Sequence, residues 1–262
     1  MSAPRPVAIV TGSSSGIGAA AARRLARAGF DVAVTYSRNA DGARSTAAAC
    51  KAEGAAAIVV RGDVSVDADC RAIAAAAAAA WGRIDVLVNN AGTTRYAEAR
   101  DLDALDAADF QHVFGTNVTG AYQMARAAAP HLRAAPDAAI VNVSSHAGFS
   151  GAGSSTAYAA SKGALNTLTL GLARALAPAI RVNAVCPGFV ATDWGLAWQE
   201  PAEYEAFQRR AADVAPLRRI PTADGVAECI VWLATAAAFV TGQLLVIDGG
   251  THLTVGSPLA QP

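Results

Sequence analysis

Tyr158 and Lys162 stand four residues apart in the segment YAASK, a spacing and a pair of residue types that can move a proton. The chain has only two lysines, Lys51 and Lys162; the other 19 of its 21 basic residues are arginine. On a helix, positions i and i+4 lie on one face within reach of each other. A free phenol titrates near pH ~10 and is a poor acid–base group at neutrality. An ammonium at about 4–6 Å favours the phenolate, typically by ~1–3 pH units, which brings a tyrosine into the range of general acid–base catalysis. An exposed helix pair without chemical consequence would show the same spacing. Upstream, IVNVSS (Ile140–Ser145) ends in two hydroxyls, with Ser145 13 residues before Tyr158. Ser144 suits a turn or cap. Ser145 adds a hydroxyl to the phenol and the ammonium.

Two further stretches could hold a ligand. TGSSSGIG (Thr11–Gly18) has glycines at 12, 16 and 18, which let a backbone turn tightly and approach a diphosphate at the N-terminus of a following helix. Its spacing differs from the G-x-G-x-x-G dinucleotide fingerprint, and a Gly/Ser turn alone is commonplace. NNAG (Asn89–Gly92) offers small and amide residues suited to a cofactor wall, or equally an Asx turn.

The elements that must position these residues alternate regularly. Strands are expected over Val7–Thr11, Asp31–Tyr36, Ala56–Val60, Asp85–Asn90, Ala138–Ser145, Ile180–Gly188 and Gln243–Gly250. Between them, helical patterns run to about Ala28, over Asp41–Glu53, Val66–Trp81, an interrupted Leu105–Arg133, a helix carrying Tyr158 to about Ala177, and Asp224–Thr235. Gly29 and Gly54 suit helix ends and Pro178 a stop. Seven strands alternating with helices predict an α/β fold: one Rossmann-like domain over residues 1–262, a doubly wound seven-stranded parallel sheet with helices on both faces. In such a sheet the ligand crevice lies outside the C-terminal strand ends, which is where the glycine loop, NNAG and Ser145 all fall.

Taken in order, TGSSSGIG, GDV, NNAG, GTNVTG, IVNVSS, YAASK, RVNAVCPGFVAT and TGQLLVIDGG resemble the short-chain dehydrogenase/reductase family over nearly all of Val7–Gly250. The resemblance implies hydride transfer between a nicotinamide cofactor and a carbonyl or secondary alcohol, with a catalytic tetrad of Asn117, Ser145, Tyr158 and Lys162. In the implied roles Ser145 holds the substrate oxygen and Tyr158 exchanges its proton with it. Lys162 binds the nicotinamide ribose and lowers the Tyr158 pKa, and Asn117 holds a relay water. Cofactor contacts are implied at Gly12, Ser14, Ser15, Gly16, Ile17 and Gly18, at Asp63 and Val64 by the adenine, at Asn90, Ala91 and Gly92, and at Pro187, Gly188, Val190 and Thr192, besides Tyr158 and Lys162. The overall pattern is similar to 3-oxoacyl-(acyl-carrier-protein) reductases and to sugar-alcohol or glucose dehydrogenases. A homotetramer, or a homodimer, joined through the helix from about Thr156 and the long helix before it, is implied as well.

The second strand ends in Tyr36, Ser37 and Arg38, with no carboxylate before Asp41. An acidic residue there would bind the ribose hydroxyls of NAD. A hydroxyl and a planar guanidinium suit a 2′-phosphate instead, so NADP(H) is favoured over NAD(H). Against this, Ser15 stands where many NADP-preferring relatives carry a base, and Arg38 also fits a solvated loop charge. NADPH usually serves reduction, which favours a ketoreductase. The rival from another class is a non-catalytic NADPH-binding sensor, which would have no need of Tyr158 and Lys162 together. His146, Phe149, Trp194 and Trp198 are candidate substrate contacts, or packing for a lid.

Composition narrows the partners. Lys and Arg balance Asp and Glu at 21 each with no dense basic run, so electrostatics does not support nucleic acid or an anionic membrane surface. No apolar run reaches the ~18 residues of a membrane helix. Cys50, Cys70, Cys186 and Cys229 lack CxxC or zinc-ligand spacing, so no metal site is expected. The beginning of the chain lacks a leader pattern, and four reduced thiols are expected in a cytoplasmic protein.

Overall fold

Short β-branched runs become strands because both of their faces are covered. In the computed structural model, which describes residues 4–192, 194 and 200–254, seven strands form one sheet in the order β3-β2-β1-β4-β5-β6-β7. They are β1 (Val7–Val10), β2 (Asp31–Tyr36), β3 (Ala57–Arg61), β4 (Val86–Asn89), β5 (Ala138–Val143), β6 (Ile180–Pro187) and β7 (Leu244–Ile247). Every pairing is parallel, with Ile9 opposite Ala33 and Leu87, and Val141 opposite Val88 and Asn183. The order reverses between β1 and β4. That leaves a crevice at their C-terminal ends, the usual ligand position in this architecture.

The helices are α1 (Gly16–Arg27), α2 (Ala40–Ala52), α3 (Asp67–Trp81), α4 (Ala107–Phe114), α5 (Ala121–Leu132), α6 (Ala147–Ser150), α7 (Thr156–Leu176), α8 (Pro201–Val214) and α9 (Ala223–Thr235). One apolar layer, with Val10, Val34, Val88 and Val185, packs under α1, α2 and α9. The other, with Ile9, Leu87, Ile140 and Val182, packs under α3, α5 and α7. Alanine fills much of both layers and buries little area, so helices approach closely and polar links supplement the packing. Arg24 of α1 grips Asp224 of α9 through two bonds of 2.8 and 2.6 Å. Beneath the crevice a buried chain crosses three elements. The Asn89 amide donates to Asn142 Oδ1 at 3.0 Å, and the Asn142 amide donates to Thr169 Oγ1 at 2.9 Å.

Two regions depart from the pattern read in the sequence. The interrupted Leu105–Arg133 region is two α-helices joined by a π-helical turn, Gly115–Gly120, which contains Asn117. The polar stretch after Thr192 contains α8, which has only Tyr204 buried; a single anchoring residue leaves almost no periodic signal to read. The four cysteines are unpaired: Cys50, Cys70 and Cys186 are buried and Cys229 half-buried.

Candidate active site

The glycine loop and β4 are stitched together by Thr11. Its hydroxyl oxygen accepts from the Asn90 and Ala91 main-chain N–H groups at 2.9 and 3.0 Å. The Asn90 amide returns two bonds, to the carbonyls of Thr11 and Gly12 at 2.9 and 3.0 Å. Asn90 therefore spends both amide hydrogens supporting the loop from below. Gly12 has φ +61, and a Cβ there would sit 2.9 Å from Ala91 Cα; at Gly18 a Cβ would meet Asn90 Nδ2 at 2.4 Å. Neither position admits a side chain without displacing backbone or this clamp. Ser13 is fully buried and ties the loop to β2, donating to Val10 O and accepting from Thr35 N. Ser15 stands at the N-cap of α1 with no side-chain cap bond. Its hydroxyl and the first N–H groups of α1 remain available to an anion.

On the β3 side, Tyr36 is half-buried while Ser37 and Arg38 are exposed. Among the described residues no ion pair engages Arg38, but its charge reaches Asp63. The Asp63 carboxyl is held below its ordinary range, first by the Ser65 hydroxyl and then by the Ser65 N–H and the nearby Arg38. Val64 is buried, and its carbonyl accepts from Gln123. On the far side, Gly188 donates to Ile247 O at 2.9 Å, and Thr192 reaches back over the glycine loop to within 3.7 Å of where a Gly16 Cβ would stand. Val190 is half-buried against the α1 layer. The Tyr204 hydroxyl of α8 accepts from Thr192 N and donates to Thr192 O, while Phe189 stacks edge-on against Tyr204 and Phe207. Thus α8 fastens one wall of the crevice.

Between these walls stand the acid–base candidates. Ser155 caps α7 by accepting from Tyr158 N at 3.1 Å, fixing the turn that carries the phenol. Ser145, just past β5, accepts from Ala147 N at 3.1 Å, and its hydroxyl is near enough to the Tyr158 phenol to favour the phenolate. Lys162 is only 4% exposed. Its Nζ donates to Val143 O at 2.8 Å and lies 5.6 Å from the Tyr158 ring centroid. Burial pushes Lys162 down to about 8 and is the largest effect on Tyr158, pushing it up against the opposing Ser145 hydroxyl. For Tyr158 the direction is set by desolvation, which costs the phenolate more than the Ser145 hydroxyl returns; the lowering expected from Lys162 does not set it.

Asn117, 1% exposed, is brought to the same place by the π-turn. Its Oδ1 accepts from Thr93 N at 2.8 Å, and its amide donates to Thr93 O at 3.0 Å and Ser161 Oγ at 2.9 Å. Both amide hydrogens are committed to protein, so the expected hold on a relay water does not come from those donors. Of the substrate candidates, Phe149 and Trp194 are largely exposed, and His146 lies beside His252 with ring centroids 6.5 Å apart. Trp198 lies outside the described residues. Thr11, Thr93, Ser161 and Tyr204 were not singled out by sequence. Thr11, as a strand-end hydroxyl, carried a readable signal, whereas the links from Thr93 and Ser161 to Asn117 and from Tyr204 to Thr192 join partners well separated in the chain.

The residues present fit a nicotinamide dinucleotide. An uncapped helix start faces an open glycine loop, a guanidinium stands at the end of β2, and a buried ammonium and a phenol stand beyond. Comparison with known proteins agrees. Residues 12–252 match the family described as Enoyl-(Acyl carrier protein) reductase. The chain is 43% identical over 248 residues to a Streptomyces violaceoruber protein assigned as ketoacyl reductase 2 of the granaticin polyketide synthase, covering 95% of this chain and 96% of that one. It is 41% identical to the cis-4-hydroxycyclohexanecarboxylate dehydrogenase of Sinomonas cyclohexanicum over 93% of this chain and 95% of the relative. A crystal structure from Burkholderia xenovorans, described as a short-chain dehydrogenase/reductase, superposes with a TM-score of 0.88 at 44% identity, over 96% of this chain and 100% of that one. The chain belongs to the short-chain dehydrogenase/reductase family of NAD(P)-dependent oxidoreductases.

Proposed function

We propose that this protein is an NADP(H)-dependent ketoreductase of the 3-oxoacyl reductase type, acting as one domain on a small carbonyl substrate. The observation that carries the reading is the convergence of Ser145, Tyr158 and Lys162 at the C-terminal end of β5, a hydroxyl, a phenol and an ammonium together.

A nicotinamide held in the crevice would supply the hydride. The chain's own work is positioning and proton transfer. The Ser145 hydroxyl holds the carbonyl oxygen, and Tyr158 gives its phenolic proton to the alkoxide as it forms. The Lys162 ammonium stabilises the phenolate left behind. With Lys162 held near 8, its ammonium form dominates at neutral pH and can return a proton to the tyrosine. Ser14, Ser15, Ile17 and the glycines of the loop would take the diphosphate. Asp63 and Val64 would border the adenine, and Pro187–Thr192 the nicotinamide. Arg38, exposed and without an ion pair among the described residues, would take the 2′-phosphate, with Ser37 beside it. The same reading makes the protein a cytoplasmic homotetramer, or homodimer, joined through α5 and α7.

A second reading, oxidation of a cyclic secondary alcohol or sugar, is favoured by the 41% identity to a hydroxycyclohexanecarboxylate dehydrogenase and 36% to an L-rhamnose 1-dehydrogenase. One experiment separates the readings. Turnover is followed over keto esters, 3-oxoacyl and enoyl thioesters, cyclic alcohols and sugars with both cofactors, for wild type and Arg38→Ala. The ketoreductase reading expects fastest NADPH oxidation on 3-oxo substrates and a tenfold or greater loss of NADPH affinity in the variant, about 1.4 kcal/mol. Unchanged NADPH affinity would remove the Arg38 assignment. Tight NADPH binding without turnover of any substrate would favour a sensor.

A further inference from the structure

Ser161 has no part in the chemistry above, yet it stands one residue before Lys162 and three after Tyr158 on α7. It is completely buried. Its hydroxyl donates to Tyr158 O at 2.7 Å and accepts from the Asn117 amide at 2.9 Å. Alanine is the better helix former, and this chain uses alanine freely on the same helix, at 157, 159 and 160. A hydroxyl bonding back within its own helix adds little to the helix. What Ser161 does add is a bond across to the π-turn.

The consequence runs through Asn117. Its other two bonds, from Thr93 N and to Thr93 O, hold the end of NNAG. Gly92, just before Thr93, lies against the lysine: a Cβ there would stand 3.4 Å from Asn117 Oδ1 and 3.8 Å from Lys162 Nζ. We propose that Ser161 is a positioning residue whose hydroxyl locks the Asn117 amide, and through it the Gly92–Thr93 wall, against the Lys162 ammonium. The proposal deepens the Tyr158–Lys162 reading and rests on it for its functional meaning. Removing the hydroxyl leaves a buried Asn117 N–H without an acceptor, and such a group recovers its bond by moving or by admitting water. The Gly92–Thr93 wall then loosens beside Nζ, and hydration of the ammonium raises its pKa toward the ordinary lysine value. The other titratable groups facing Nζ are Tyr158 on its own helix and Cys186 on β6. Burial holds the Cys186 thiol up at about 12, so it stays neutral while Lys162 titrates.

With only two lysines, the protein labelled with 13C at lysine Cε gives two resolvable signals, assigned through Lys51→Arg. Lys162 is expected to titrate near 8 in wild type. In Ser161→Ala its midpoint should rise by about half a pH unit or more, and the kcat–pH profile should shift in the same direction. Ser161→Thr, which keeps the hydroxyl, should return both toward wild type. Ser161→Cys, nearly isosteric and a weaker hydrogen-bonding group, should lie between, and it carries the test if the alanine variant fails to fold. A lowered melting temperature with an unmoved Lys162 midpoint in the alanine and cysteine variants would overturn the proposal. The titration needs no substrate, so it fails separately from the ketoreductase reading, which fails through turnover.

Discussion

The strongest conflict between stability and function in this protein sits on one residue. Lys162 is 4% exposed and, among the described residues, its ammonium makes a single hydrogen bond, to Val143 O. Its pKa is lowered to about 8 from an ordinary 10.5, with burial the first cause. The folded chain therefore binds fewer protons than the unfolded chain between those values, and stability must rise with pH across that window. The buried ammonium costs the folded state about 3 kcal/mol at neutral pH, which a methionine would not. Comparing urea unfolding of wild type and Lys162→Met from pH 7 to 10, wild type should gain on the variant by up to about 3 kcal/mol. Parallel curves would mean that the ammonium is better solvated than its burial implies. Tyr158, Lys162 and Ser145 were legible because their chemistry is carried by residue type and local spacing. The direction of the Tyr158 shift was not legible, because desolvation depends on how tightly distant segments close around the ring.

At the scale of elements, the seven strands and most helices were legible because each alternates β-branched runs with alanine-rich helical stretches. Gly29 and Gly54 end α1 and α2 with φ +96 and +82, as their positions in the sequence suggested. The π-turn was read only as an interruption. The π-turn brings the Asn117 amide to Thr93 and Ser161, 24 and 44 residues away in the chain, and no periodicity records that. Helix α8 escaped because it is held by one buried tyrosine. On the outer faces of α5 and α7, Tyr122 and Leu170 are 46% and 47% exposed. If these faces join subunits, Leu170→Glu should shift wild-type tetramers or dimers toward monomers in sedimentation velocity, leaving the fold intact. A wild type that sediments as a monomer at micromolar concentration would contradict the assembly.

At the scale of the whole molecule, one parallel sheet brings segments from residues 11 to 192 to a single edge. The reversal between β1 and β4 opens the crevice there. Sequence motifs scattered over that span become one site only because parallel strands present all their C-terminal ends on the same side. This is why the family could be read from motif order, while the substrate could not: the stretch after Thr192, where the sequence placed substrate candidates, has no readable pattern. In the proposed reduction Tyr158 is the proton donor to the carbonyl oxygen. Wild type and Tyr158→Phe are compared on the best 3-oxo substrate of the panel, with NADPH binding followed by fluorescence and kcat by NADPH oxidation. Wild-type-like NADPH binding is expected, with kcat lowered by about 10²–10⁴-fold. Turnover by the phenylalanine variant within a few-fold of wild type would contradict it.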